Sequence, residues 1–195
     1  MMKKLFSAIA LFSSSLFVLS IFSGCESKEE IKEDRVSLSA AEMELYSLLM
    51  TYRAELGLPE IPLSISMTIV AQTHVKDLQE NNPMSGECNS HSWSEFGNWT
   101  PCCYTADHAQ AACMWNKPRE LTEYTGNGFE IAAYNMASIN PSGALNAWKN
   151  SPGHDAVIRN DGPWNQEWKA IGIGMNGRFA AVWFGREADP KGQPQ

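Results

Sequence analysis

The chain has 195 residues, of which 44% are hydrophobic and 19% charged, with a formal net charge of −7. Those proportions exclude an intrinsically disordered chain, and the length suits one domain plus a leader. A pI near 5.1, with Lys and Arg scattered singly after residue 36, excludes the basic footprint of a nucleic-acid binder.

Residues 1–24 read as a lipoprotein signal peptide. Lys3 and Lys4 form a positive start, Leu5 to Phe22 is uncharged and apolar, and Ser23-Gly24-Cys25 closes the segment. Ser7, Ser13, Ser14, Ser15 and Ser20 interrupt the run and argue against a membrane-spanning helix. Phe22-Ser23-Gly24-Cys25 is similar to a bacterial lipobox, with Phe22 where leucine is usual, and marks Cys25 for lipidation. Residues 25–38 read as a charged, flexible tether with almost nothing to bury. The expected location is the cell envelope, as an outer-membrane or surface lipoprotein whose first partner is the membrane.

Residues 39–187 form the predicted domain. Ser39 and Glu42 make a capping box ahead of Leu45, Leu48, Leu49, Tyr52 and Leu56 at helical spacing, and Gly57 ends that helix. Ser66 is the expected cap of a second helix carrying Ile69, Val70, His74 and Leu78, stopped by Asn81-Asn82-Pro83. Residues 84–104 look irregular, Thr105 is the expected cap of a short helix to Trp115, and Pro118 falls in a loop. Phe129 to Tyr134 reads as a strand. A helix entered after Pro141 ends at Ser151-Pro152-Gly153. Asn176-Gly177 predicts a hairpin turn between strands 170–175 and 178–184, and Gly172 and Gly174 imply close approach of another group to the first of these. Trp164 and Trp168 are expected to be exposed, and residues 188–195 read as a flexible tail.

Beyond Cys25, the cysteines are Cys88, Cys102, Cys103 and Cys113. In an exported chain they read as two disulfides. A bond between the neighbours Cys102 and Cys103 is disfavoured, which leaves Cys88–Cys102 with Cys103–Cys113, or Cys88–Cys103 with Cys102–Cys113. No Cys-x-x-Cys spacing supports a zinc site on these thiols.

Several segments share a family likeness. Gly57-Leu58-Pro59 followed by Ala71-Gln72-Thr73-His74, then Trp148-Lys149-Asn150-Ser151-Pro152-Gly153-His154, and the closing Ala170-Ile171-Gly172-Ile173-Gly174 and Val182-Trp183-Phe184-Gly185 resemble the CAP superfamily of cysteine-rich secretory, antigen 5 and pathogenesis-related proteins. The likeness covers about residues 40–186, with 92–127 standing out as a disulfide-stapled insertion. It implies an α+β fold, a three-layer α/β/α sandwich around a small, mainly antiparallel sheet. It also implies a cleft with two histidines and two acidic residues. His154 and His91 match the histidines. The family's Gly-Glu-Asn-Ile-Ala is Gly128-Phe129-Glu130-Ile131-Ala132 here, so Phe129 takes the glutamate place and Glu130 the asparagine place. One residue of shift on a strand reverses the face, so Glu130 either reaches the cleft through a local backbone shift or points away. Ser151 occupies the second acidic place.

His91, His154 and Glu130 are the candidate ligands for a divalent metal such as zinc, or a general acid–base group; equally, the two histidines can be hydrogen-bonded cleft residues without a ligand. His74 reads as a structural histidine on an apolar helix face and as a further cleft candidate. His108 reads as a surface or packing residue. No nucleophile elbow is present around Ser151. The leading functional expectation is a lipid-anchored, non-enzymatic module that binds a small apolar, peptide or cell-envelope ligand. The alternative is a metal-assisted hydrolase using His91, His154 and Glu130.

Overall fold

The computed structural model describes residues 36–194. The expected signal peptide, Cys25 and most of the tether lie outside the described residues. Helix α1 (Ala40–Glu55) begins at the expected capping box: Ser39 Oγ accepts from Glu42 N, and Glu42 Oε2 accepts from Ser39 N at 2.7 Å. Glu42 is buried because its other oxygen accepts the amide of Met175 at 3.1 Å, which ties the cap to the sheet. Helix α2 (Ile65–Asn81) is capped by Ser64, not Ser66; Ser64 Oγ accepts from Met67 N, and Asn82 leaves the helix with a φ of 46°. Ser66 has a different task. Its amide and hydroxyl both donate to Asp189. Asp189 also accepts from Ser64 Oγ at 2.6 Å, and Gly192 O accepts from Ile65 N. The segment expected as a loose tail is therefore docked from Asp189 to Gly192, its carboxylate on the amide-rich end of α2.

Helix α3 spans Ala111–Leu121 and contains Pro118. It starts six residues beyond the expected Thr105 cap, because His108 adopts a φ of 59° that a helix cannot continue through. Strand β1 (Gly128–Tyr134) leads to α4 (Pro141–Lys149) and then directly to α5 (Pro152–Ile158). Ser151-Pro152-Gly153 thus does two things: it stops one helix and opens the next, with proline in the first turn where its missing N–H costs nothing. Strands β2 (Ala170–Asn176) and β3 (Phe179–Gly185) form the hairpin, with Gly177-Arg178 as the two loop residues, one position beyond the expected pair.

The three strands are antiparallel in the order β1-β3-β2. Ile131, Ile171, Ile173, Val182 and Phe184 pack with Leu45 and Leu49 of α1, Trp148 of α4 and Ile158 of α5. Ala181 and Trp183 on the opposite face pack with Met67, Val70 and Ala71 of α2, and with Trp93 and Met114. This is the expected three-layer α/β/α arrangement. Gly172 and Gly174 explain how α2 lies so close: a Cβ at either would stand 2.0 Å from the Met67 carbonyl carbon or 2.4 Å from the Ala71 carbonyl oxygen. Trp168, expected at the surface, is buried, with its indole N–H donating to Val157 O at 2.9 Å.

The insertion is stapled by Cys88–Cys103 and Cys102–Cys113, the second of the two pairings left open by the sequence. Apart from α3 it has little regular structure, and a single bridge joins Trp93 to Cys102. Among the described residues, no helix is long and apolar enough to cross a membrane.

Candidate functional site

A cavity of about 400 Å³ lies along β1, the edge strand, between α3 of one layer and α5 of the other. His91, Glu130, Ser151 and His154 all line it, as do Phe129, Met114, Trp115 and Trp164. The two histidines expected to share a site therefore do so. His154 sits in the first turn of α5, carried there by Pro152 and Gly153, rather than on a turn folding back over the sheet. Ser151 stands just before α5, and its side chain makes no capping bond.

Glu130 is fixed by its strand. It pairs with Trp183 in regular register, without a local shift, so its side chain enters the α2 layer. The choice between reaching the cleft and pointing away does not hold, because His91 follows α2 and meets the carboxylate from that same layer. Oε2 accepts from His91 Nδ1 at 2.7 Å; Oε1 accepts from the Trp183 indole at 2.9 Å and lies 2.5 Å from His74 Nδ1. Burial would push this carboxyl up, but the facing His74 and His91 imidazoles outweigh it and hold it down to about 2.

His74 is fully buried and stacked on Trp93, with ring centroids 4.2 Å apart. Its Nε2 lies 3.0 Å from the Ser92 carbonyl. Both ring nitrogens are thus held, Nδ1 against the Glu130 carboxylate and Nε2 against that carbonyl. His74 is thus a structural partner of the site and does not line the cavity. His91 spends its Nδ1–H on Glu130, which leaves Nε2 with the lone pair when the ring is neutral. His154 makes no side-chain hydrogen bond among the described residues. Burial holds its pKa below the ordinary value, and the neighbouring His91 adds to that.

Three donors hold the Glu130 carboxylate, two at Oε1 and one at Oε2, and it lines the cavity together with the imidazoles of His91 and His154. Among the described residues, no group of three His, Cys, Asp or Glu side chains is placed to hold a metal ion. Glu130 is instead placed as the orienting partner of His91, the role that carboxylates play behind metal-binding or proton-transferring histidines.

Which residues build the apolar wall was not disclosed by the sequence. Phe129, in the place where the family carries glutamate, turns to the opposite face from Glu130 and meets Trp164 and Trp168 at centroid distances of 5.3 and 5.5 Å. Tyr104 and His108, joined by a 3.1 Å hydrogen bond, line the cavity from the insertion. His108, expected at the surface, is exposed at the cavity's rim.

No family model and no curated protein matches the sequence. Solved structures do. An extracellular protein containing an SCP domain from Bacillus anthracis aligns with a TM-score of 0.52 at 21% identity, over 78% of this chain and 45% of that one. The chain thus spans less than half of that protein. An outer surface protein from Borrelia burgdorferi aligns with a TM-score of 0.53 at 20% identity, over 78% of this chain and 97% of that one. These likenesses establish the fold, the SCP-type α/β/α sandwich of CAP proteins.

Proposed function

We propose that this SCP-fold chain is an exported, lipid-anchored binding protein whose cleft takes a small, largely apolar ligand. The single observation that carries this reading is the pairing of an aromatic wall, Phe129 with Trp164 and Trp115, with two imidazoles in one 400 Å³ cavity. Ligand pockets commonly combine such apolar walls with a few convergent polar groups. His91, oriented by Glu130, and His154, kept neutral by burial, supply hydrogen bonds to the ligand's polar end. Envelope location draws on the leader and Cys25, and on the extracellular and outer-surface character of the two structural neighbours.

A divalent metal such as zinc would find two imidazole ligands here, with Glu130 behind His91. The hydrolase alternative needs a carboxylate free to work on a bound water, whereas both Glu130 oxygens already accept hydrogen bonds from side chains of the protein. Binding without catalysis is the reading the geometry favours.

Quenching by a brominated six-carbon alcohol tests it. Saturable quenching of tryptophan fluorescence is expected, most of it lost when Trp115→Phe and Trp164→Phe are combined. Equal quenching in the variant would place the ligand elsewhere.

A further inference from the structure

A second cavity, of about 470 Å³, adjoins the histidine cleft at Phe129, which lines both. Its walls are polar and carry two guanidinium groups, Arg119 near the end of α3 and Arg186 just after β3. Neither arginine forms an ion pair among the described residues. Arg119 donates to the side-chain oxygens of Asn116 and, at 2.6 Å, Asn127. Arg186 donates weakly to Pro163 O at 3.4 Å, and its Nε is buried with no hydrogen-bond partner.

The Arg186 guanidinium lies over the rings of Phe129 and Trp168, 5.0 and 5.5 Å from their centroids. Stacking fixes the plane of its donor fork before any ligand arrives, and a fixed fork matches the paired oxygens of phosphate or carboxylate. Glu187 lines the same cavity, its carboxylate packed against Gly126, and supplies an opposing negative charge. The balance of two positive groups and one negative suits a compact oxyanion, not a polyanion.

We propose that Arg119 and Arg186 form a binding site for an oxyanion such as phosphate, separated from the histidine cleft by Phe129. The anion is either free or the head of an amphiphile whose apolar part passes Phe129 into the cleft. The site stands on its own residues and does not need the cleft to bind anything.

Calorimetry on the full-length protein, with inorganic phosphate and with decyl phosphate below its micelle concentration, tests this. Arg119→Gln should weaken inorganic phosphate at least tenfold. Glu187→Gln should tighten it severalfold, a gain that misfolding cannot produce. Decyl phosphate binding tenfold more tightly than phosphate, with the advantage lost in Trp164→Ala, would identify an amphiphile; equal affinities would identify a free anion. Absence of saturable phosphate binding at millimolar concentration, or unchanged affinity in both Arg119→Gln and Glu187→Gln, overturns the proposal.

Discussion

His74 and Glu130 meet through a 2.5 Å hydrogen bond in the core, 56 positions apart in sequence, one on α2 and the other on the sheet. Both side chains are fully buried, and the carboxylate also orients His91 at the cavity. The pair therefore links the stability of the fold to the geometry of the cleft.

Glu130→Gln should be costly, since removing one partner leaves the other's charge buried; about 3–5 kcal/mol is expected. The pH dependence follows from the carboxyl being held down to about 2 against an ordinary value of 4.5. A depressed carboxyl contributes stability that is present above 4.5 and lost as pH falls toward 2. Urea midpoints measured from pH 6 to pH 2 should show that loss in the wild type. In Glu130→Gln the same interval should be flatter. A parallel decline in both proteins would detach the acid sensitivity from this group.

His154 is held below its ordinary value of 6.5 by burial and by the nearby His91. The sign is that of a buried neutral histidine: the unfolded chain takes up more protons below 6.5, so this group's contribution is lost as pH falls. Histidine NMR titration should give His154 a midpoint below 6.5, moving upward in His91→Gln. A midpoint that does not respond to His91 would mean that the two imidazoles are uncoupled.

The bridges Cys88–Cys103 and Cys102–Cys113 hold a segment with little regular structure of its own. Removing one pair, as in Cys102→Ser with Cys113→Ser, should cost about 2–4 kcal/mol. Mapping by partial reduction and alkylation should recover both bonds. A Cys88–Cys102 fragment would contradict the pairing.

Cys25 lies outside the described residues, and its lipidation rests on the leader pattern. Cys25→Ala should move the protein from the membrane fraction to the soluble one and abolish labelling by a fatty-acid analogue. Membrane recovery equal to the wild type would remove the anchor from the account.

Much of the fold was legible because its signals are local. Ser39 with Glu42, Gly57, and Pro152 with Gly153 each act within one turn of chain. Gly172 and Gly174 announced a close neighbour but not that the neighbour is the α2 backbone. The start of α3 was illegible, since Gln110 offers no side-chain cap and the break is made by the backbone at His108. The site was half legible. His91 and His154 carry family spacing, whereas the role of Glu130 depends on which layer His91 enters from. That is a tertiary fact without a sequence period. The tail escaped for the same reason, because Asp189 is polar and looks loose until Ser64 and Ser66 meet it.

The proposed site for an apolar ligand is the cavity between α3 and α5. The most direct measurement is the dissociation constant of n-alcohols from four to ten carbons, obtained by calorimetry. Burial contributes about 0.8 kcal/mol per methylene, roughly fourfold in affinity, so affinity should climb by that factor per carbon and then level off when the cavity is full. Ala111→Trp, which fills the cavity from the first residue of α3, should abolish it. Absence of saturable binding at every chain length, or binding unchanged by Ala111→Trp, would contradict the account.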